Sequence, residues 1–322
     1  MKIGLIDVDG RRFPNLALMR ISAWHKSRGD EVGWYQPPLV EPCYDVVYMS
    51  KIFSDAYSKD VPEPINADKV LKGGTGYCIS LVDGKEVFDE SKNVSLPDEI
   101  ERMTPDYSIY PQYDYAVSMT SRGCPRGCAF CHVAKKEGRC SVKVADVSDF
   151  WTGQKKIKIL DPNLTACADK RELMRQYKDT GALLDFTQGL DIRLLDDADI
   201  ADLREMRLEG LHFAWDNAKE DLRDKFAYYA KHGKHTRHGH LGIVYCLVNF
   251  NSTLEEDLYR IYTLKELGYS PFVMVYDRPN APQVYRDLQR WCNTFIIIRA
   301  CPRFEDYDPK QFSTKKLRSG KK

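Results

Sequence analysis

The stretch "SRGCPRGCAFCHV", Ser121 to Val133, decides the reading of this chain, because it sets three cysteines within eight positions at the spacing C-x3-C-x2-C. Gly123, Pro125 and Gly127 interrupt any regular helix and let backbone approach a bulky ligand closely. Cys124, Cys128 and Cys131 are therefore read as loop thiolates that share one inorganic group. A cubane cluster held by three thiolates leaves one iron with open coordination positions for a substrate. A structural zinc site with His132 or Cys140 as fourth ligand is the competing reading. Zinc loops usually pair two short ligand knuckles, however, and the next cysteines, Cys140 and Cys167, form no second C-x2-C.

Outward from this loop, strands alternate with helical patterns. The runs "YAVSMT", "KKIKIL", "LLDFTQ", "GLHFAW", "LGIVYCLV" and "SPFVMVY" read as strands, with "TFIIIR" as a seventh candidate. A helix after the fifth opens on the capping box Ser252-x-x-Glu255 and carries Leu254, Leu258, Ile261 and Leu264. Six or seven strands in this rhythm predict a full or partial β/α (TIM-like) barrel, whose chemistry gathers at the C-terminal strand ends. The sequence puts Asp161 and Asn163, Gln188 to Arg193, Asp216 and Asn217, Asn249, Asp277 and Arg278 at those ends.

The first 111 residues predict a smaller parallel sheet of flavodoxin-like type. Its strands are "KIGLIDV", "EVGWYQ", "YDVVYMS", "DKVLKGG" and "PDYSIYP", and one clear helix is opened by Pro14. A ligand would sit beyond the strand ends, near Asp7 to Arg12 and Gly73 to Tyr77. "KGGTG" is only a weak phosphate-loop signal, since no G-x-x-x-x-G-K-[ST] is present. The expected organisation is thus α/β throughout: 1–111 flavodoxin-like, 112–304 barrel, and 305–322 a basic tail ending in "TKKLRSGKK", read as disordered.

With 48 Lys+Arg against 47 Asp+Glu over 322 residues, no global field advertises a polyanion or a membrane. No signal peptide and no run of ~18 apolar residues is visible, so the expectation is a cytoplasmic protein without a membrane partner. Ten scattered cysteines read as one ligand cluster plus small buried hydrophobes, not as a disulfide framework. "KHGKHTRHGH" gathers His232, His235, His238 and His240, but it lies between a helix and the fifth strand, on the face opposite the chemistry. It reads as a solvated basic loop, with phosphate contact as the minority reading.

The cysteine loop, with Phe130 between its second and third cysteines, resembles that of the radical S-adenosylmethionine (SAM) enzymes, C-x3-C-x-φ-C with φ aromatic. The likeness covers roughly residues 112 to 300. It implies a [4Fe-4S] cluster on Cys124, Cys128 and Cys131, and SAM bound to the open iron through its amino and carboxylate groups. A flavodoxin- or ferredoxin-type donor would supply one electron, and a 5′-deoxyadenosyl radical would abstract hydrogen from a substrate. By the same resemblance Phe130 lies near the adenine and "ILDPN", with Asp161 and Asn163, meets the SAM amino group, although Gly-Gly-Glu is lacking there. Gln188, Asp191, Arg193, Asp216 and Asn217 would contact SAM ribose and carboxylate or the substrate.

Asp191 and Arg193 are the expected orienting pair, provided the chain stays extended past Gly189; the alternative is a surface bridge between them, or from Arg193 to Asp196. The front region is similar to the cobalamin-binding-like domain preceding many such cores. Asp7, Val8, Asp9, Gly10, Arg11 and Arg12 lack the cobalt-ligating histidine of Asp-x-His-x-x-Gly, so the expectation is a scaffold that does not bind cobalamin. A cobalamin-dependent methyltransferase remains the alternative. So does a methylthiotransferase-like nucleic-acid modifier, for which Cys43 and Cys78 lack a third partner. Outside enzymes, a zinc- or cluster-bearing nucleic-acid-binding protein or a redox sensor stays open. The substrate class is left open, with nucleic acid among the candidates.

Overall fold

The computed structural model describes residues 1–41 and 43–312; the basic run from Thr314 to Lys322 lies outside the described residues. The chain forms two compact units, 1–182 and 183–322, a division that falls elsewhere than the element rhythm of the sequence suggested.

In the first unit, strands β1 (Lys2–Asp7), β2 (Glu31–Trp34), β3 (Tyr44–Ser50) and β4 (Ala67–Gly73) form a parallel sheet of order β2-β1-β3-β4. Helix α1 (Leu16–Ser27) lies between the first two. The central strands β1 and β3 carry the buried apolar residues and are covered on both faces, while the edge strands β2 and β4 stay partly exposed. Ile3, Leu5 and Val46 pack with Leu18, Ile21 and Ile100 on one side, while Val8, Tyr44, Val47 and Met49 form a cluster on the other. The helix is capped by Asn15, whose Oδ1 accepts from the Leu18 N–H at 3.2 Å, and not by Pro14, which stands one residue earlier.

After the sheet comes a hairpin of β5 (Ile79–Val82) and β6 (Lys85–Phe88), turned on Asp83 and Gly84 at φ 50° and 75°. This Asp-Gly pair is a hairpin signal that the strand reading passed over. Short α2 (Asp98–Glu101) follows.

"PDYSIYP" is not a strand: Tyr107–Ile109 is a 3₁₀ turn. Its two tyrosines face different acceptors: Tyr107 OH donates to the Phe150 carbonyl at 2.8 Å and Tyr110 OH to Asp7 Oδ2 at 2.8 Å, while Tyr113, just beyond, donates to the Arg11 carbonyl at 3.1 Å. Tyr110 and Tyr113 thereby fasten the end of β1 and the loop after it, and Tyr107 OH accepts the Val117 N–H of the strand that follows, β7 (Ala116–Ser118), at 3.4 Å. Beyond it lie β8 (Ser121–Arg122), α3 (Val133–Glu137), β9 (Val142–Lys143), β10 (Lys156–Ile159) and α4 (Lys170–Asp179). β7 and β10 pair in parallel, and β8 and β9 form an antiparallel neck.

The second unit repeats strand and helix: β11 (Leu183–Phe186), α5 (Asp197–Glu205), β12 (Arg207–Ala214), α6 (Arg223–His232), β13 (Ile243–Val248), α7 (Leu254–Glu266), β14 (Ser270–Val275), then α8 (Gln283–Asn293) and α9 (Phe295–Ala300). Its strands are parallel in the order β11-β12-β13-β14. Along β12, Leu211 and Phe213 bury one face; the Phe213 ring packs edge-on to Phe226 and Tyr229. Gly210, His212 and Ala214 line the opposite face. The capping box of α7 is Thr253 with Glu256, one residue later than Ser252 with Glu255; both pairs fit the pattern, and the Thr253 hydroxyl is the one that accepts the Glu256 N–H at 3.2 Å.

"TFIIIR" is helix α9, not a seventh strand. The outer edge of β14 is already taken: the Val273 N–H donates to Asn293 Oδ1 at 2.8 Å, and its carbonyl accepts from Asn293 Nδ2 at 2.9 Å and Gln289 Nε2 at 3.2 Å. Side-chain amides of α8 replace the next strand, and the sheet stays open. Ile297 of α9 is instead buried in a core with Trp291, Leu288 and Val273, against which Tyr307 and Phe312 of the expected tail also pack.

One buried cation sets the strand ends of this unit. Arg260 on α7 is 1% exposed and donates to the carbonyls of Trp215 and Leu247, after β12 and within β13, and to Asp257. Replacing it by methionine should cost about 3–5 kcal/mol, since a buried carboxylate and two carbonyls lose their partner. The double variant Arg260→Met, Asp257→Asn should recover part of that loss. Urea unfolding checks both; a cost below about 1 kcal/mol in the single variant would show that the clamp does not carry the strand ends.

Candidate functional site

The cysteine loop is an excursion of the β8/β9 hairpin, and a carboxylate beneath its entry fixes where it starts. Asp161, just past β10, is 3% exposed and accepts from the Thr120 N–H (3.0 Å) and hydroxyl (2.8 Å), the Ser121 N–H (2.5 Å) and hydroxyl (2.6 Å), and the Tyr177 hydroxyl (3.4 Å). Burial drives its pKa upward against the lowering influence of the Ser121 and Thr120 hydrogen bonds. The expectation gave this carboxylate to the SAM amino group; what the side chain contacts here is the strand end leading into the loop.

The neck of the loop is closed by backbone. At Gly123 (φ 86°) a Cβ would stand 2.1 Å from the Cys140 carbonyl oxygen, so only glycine allows this approach. The Cys124 N–H donates to the Gly138 carbonyl at 3.1 Å, and the Cys131 N–H to that of Cys128 at 3.0 Å. His132, weighed as a zinc ligand, stacks its ring on Phe88 at 5.4 Å between centroids, and burial lowers its pKa.

Cys124, Cys128 and Cys131 are all half-buried, as is Phe130 between the last two. Asn163, 4% exposed, donates from Nδ2 to Cys124 Sγ at 3.5 Å, while its Oδ1 accepts from the Thr165 hydroxyl at 2.9 Å. Of the other cysteines, Cys78, Cys167, Cys246, Cys292 and Cys301 are buried, as hydrophobes are; Cys43 and Cys140 are exposed, against expectation. Burial pushes the Cys292 thiol up to about 12.

Among the described residues, no group of three or more His, Cys, Asp or Glu side chains could hold a metal ion. A zinc site would need its ligands converged on one ion at about 2.3 Å. A cubane asks for something different, one thiolate on each of three separate irons. Three half-buried thiols on one loop, one already receiving an N–H from a buried amide, fit that donor set.

At the strand ends of the second unit the chain does not stay extended past Gly189. Asp191 caps a 3₁₀ turn, Ile192–Leu194, and accepts from Arg193 Nε at 2.6 Å and Nη2 at 3.0 Å; Arg193 Nη1 reaches Glu220 at 2.7 Å. The expected orienting pair is thus a bidentate bridge, the alternative weighed from sequence, and it closes the arginine fork on protein carboxylates. Asp216 accepts the Leu247 N–H at 3.0 Å, and burial raises its pKa to about 6. Gln188 and Asn217 are exposed, the latter in a turn through the Lys219 N–H at 3.0 Å.

Sequence reasoning passed over a polar row on the face of β11 to β13 that carries His212. Asp185 lies 3.8 Å from His212 Nδ1, which is 3.0 Å from the Phe186 carbonyl oxygen, and the His212 ring stacks on Tyr245 at 5.5 Å. The signal was the alternation itself, since Asp185, His212 and Tyr245 each interrupt an apolar run. The histidine-rich loop is engaged at its own end of the sheet, where Arg237 and His238 meet Glu209 at 2.9 and 3.6 Å.

No helix among the described residues is long and apolar enough to cross a membrane. No family model matches the chain, and no curated protein matches it. Among solved structures it resembles a radical S-adenosylmethionine methyltransferase, TsrM from Kitasatospora setae, determined with cobalamin and a [4Fe-4S] cluster bound. The likeness has a TM-score of 0.60 at 11% identity and covers 85% of this chain and 74% of that one. At that identity it shows a shared fold: the chain is an α/β protein built on parallel sheets in the arrangement of a radical SAM structure.

Proposed function

We propose that this protein is a radical SAM enzyme. The observation that carries the reading is the set of three thiols on one hairpin excursion, necked at Gly123 and fixed at its root by Asp161, in a chain whose fold is that of a radical SAM structure. Cys124, Cys128 and Cys131 would hold a [4Fe-4S] cluster. Held there, the cluster would supply the one-electron reduction that cleaves SAM to methionine and a hydrogen-abstracting 5′-deoxyadenosyl radical.

The chain's own residues supply position. Asp161 holds Thr120 and Ser121 and so orients the loop, and Asn163 donates an N–H to the Cys124 sulfur. Phe130 offers an aromatic face for the adenine. In the second unit Gln188 and Asn217 are exposed polar groups, Asp216 accepts the Leu247 N–H, and Asp191 and Arg193 hold each other. No step is assigned to cobalamin. The loops at Asp7 to Arg12 and Gly73 to Tyr77 carry no histidine, and desalting after incubation with hydroxocobalamin decides the role of the front sheet. Stoichiometric retention would make it a cofactor domain, and loss would leave it a scaffold.

Anaerobic reconstitution should load about four irons and four sulfides per chain and give absorbance near ~400 nm. Cys124→Ala, Cys128→Ala and Cys131→Ala should each abolish it, while Cys140→Ala should retain it. With dithionite and SAM, the parent should release 5′-deoxyadenosine. A loaded cluster that releases none would leave a redox sensor or a binding protein.

Asn163→Ala tests the sulfur contact separately. An N–H to a thiolate favours the more negative, reduced cluster, so its loss should lower the midpoint potential. For a hydrogen bond of ~1 kcal/mol the one-electron shift is about 40 mV. EPR-monitored titration reads this. An unchanged potential would mean that Asn163 does not touch the loaded site.

A further inference from the structure

Several arginines of this chain are neutralised by carboxylates. Arg20 and Arg122 share Glu101, Arg193 meets Asp191 and Glu220, Arg237 meets Glu209, and Arg260 meets Asp257. Three arginines beside the amide-capped edge of β14 are held differently. Arg278 Nε donates to Gln289 Oε1 at 2.8 Å; Arg286 donates from Nε to Gln283 Oε1 at 3.0 Å and from Nη1 to the Ala281 carbonyl at 2.6 Å. Arg290 is exposed, one turn further along α8. Among the described residues, none of the three makes an ion pair. Their partners are neutral, so the guanidinium forks of Arg278 and Arg286 are oriented while their charge is left uncompensated.

All three line one groove of about 520 Å³ together with Gln283, Gln289 and Asn293, and the only acid on it is Asp287. Asp287 is itself engaged by Gln283 Nε2 at 2.9 Å, which leaves the groove with an excess of two positive charges.

Two further observations select the kind of anion. Tyr276, two residues before Arg278 in sequence, is 37% exposed and packs edge-on to Phe250 at 4.8 Å, so an exposed aromatic precedes the first groove arginine along the chain. The described chain ends at Phe312, which packs on the core that α8 shares, and the ten residues that follow in sequence hold five Lys or Arg and no acid. Guanidiniums set along a groove with carboxamides between them, and an exposed aromatic close by in sequence, are the parts that follow a phosphodiester backbone with unstacked bases.

We propose that the groove along α8, carried by Arg278, Arg286 and Arg290, binds the backbone of a single-stranded nucleic acid. The inference concerns the second unit alone and needs neither cluster nor SAM.

The test uses the full chain and fluorescence anisotropy with a 12-nucleotide labelled RNA and its DNA counterpart across a salt series. The parent should bind, and log K should fall linearly with log salt. The triple variant Arg278→Gln, Arg286→Gln, Arg290→Gln should bind at least ~10-fold more weakly at 0.1 M salt. Its slope should be smaller by about 2, at about 0.7 for each single-strand phosphate that is no longer neutralised. Arg290→Glu guards against misfolding, because that side chain is exposed and makes no hydrogen bond among the described residues; it should weaken binding with an unchanged melting temperature. RNA and DNA arms separate the two polymers, and preference for either supports the groove. Equal affinity for a phosphoserine peptide, an unchanged slope in the triple variant, or loss of all binding on deleting residues 313–322 with none on the arginine changes would overturn it. Release of 5′-deoxyadenosine by Arg290→Glu, measured in parallel, reports on the radical SAM reading independently.

Discussion

A single buried carboxylate, Asp161, has the most depending on it. It sits just past β10 and accepts from both the backbone and the hydroxyls of Thr120 and Ser121, two residues that are fully buried. Those residues are the root of the hairpin from which the cysteine loop springs, so the carboxylate fixes the position and direction of three thiols without touching any of them. Two residues further, Asn163 completes the device from the same segment by donating to Cys124. A buried charge is an expensive way to fasten a loop, and a well-packed apolar contact of equal volume would often serve stability better. What an apolar contact lacks is direction. Four short hydrogen bonds onto one group define an orientation, which is what a loop that must present three sulfurs at fixed spacing requires.

The loop was legible in the sequence because its constraint is local. Cysteine spacing, an aromatic between the last two, and glycines at the neck are all written within a dozen residues, and Gly123 needs only the Cys140 carbonyl to explain it. The strands were legible for the same reason, since β1, β3, β12 and β13 are apolar runs bounded by turn residues. Failures came where the partner is distant in sequence. "PDYSIYP" alternates like a strand, yet its two tyrosines are spent on Phe150 and Asp7, and no periodicity encodes that. "TFIIIR" has the composition of a strand, but the edge it would have joined is occupied by the amides of Asn293 and Gln289. Arg193 was placed correctly at a strand end; its role turned on whether the chain stayed extended, and the cap at Asp191 curls it into a bridge.

The same contrast between local and distant partners separates two kinds of arginine. Where a guanidinium is buried, as at Arg260, it is surrounded by carbonyls and a carboxylate, because an unpaired buried charge would cost several kcal/mol. Where it is exposed, water makes pairing optional: Arg102, Arg223, Arg237 and Arg303 have an acidic neighbour, whereas Arg11 and Arg28 lie over tryptophan rings. Arg278 and Arg286 are oriented by neutral partners instead. Gln289 is shared: its Nε2 caps the Val273 carbonyl on the sheet edge and its Oε1 holds Arg278. One side chain thus closes the edge of the sheet and sets the first guanidinium of the groove.

The ends of β13 and β14 carry a further cost that the fold accepts. Asn249 and Asp277, the first residues past Val248 and past Tyr276, hold φ at 63° and 47°, a left-handed conformation that side chains other than glycine adopt at some expense. Asparagine and aspartate tolerate it best, because a short polar side chain can bond locally. Asn249 does so by donating from Nδ2 to the Tyr276 carbonyl at 3.1 Å, which ties one kink to the other. Asp277 accepts from Asn280 Nδ2 at 3.0 Å, and its carbonyl accepts the N–H groups of Asn280 and Ala281, the turn that delivers the chain into α8. A glycine at either position would relieve the strain but lose the side-chain bond, the backbone ones remaining. The two kinks bring Phe250 and Tyr276 into edge contact and start the arginine groove at the strand end, so the strained backbone sits where the unit presents its exposed aromatic and basic groups.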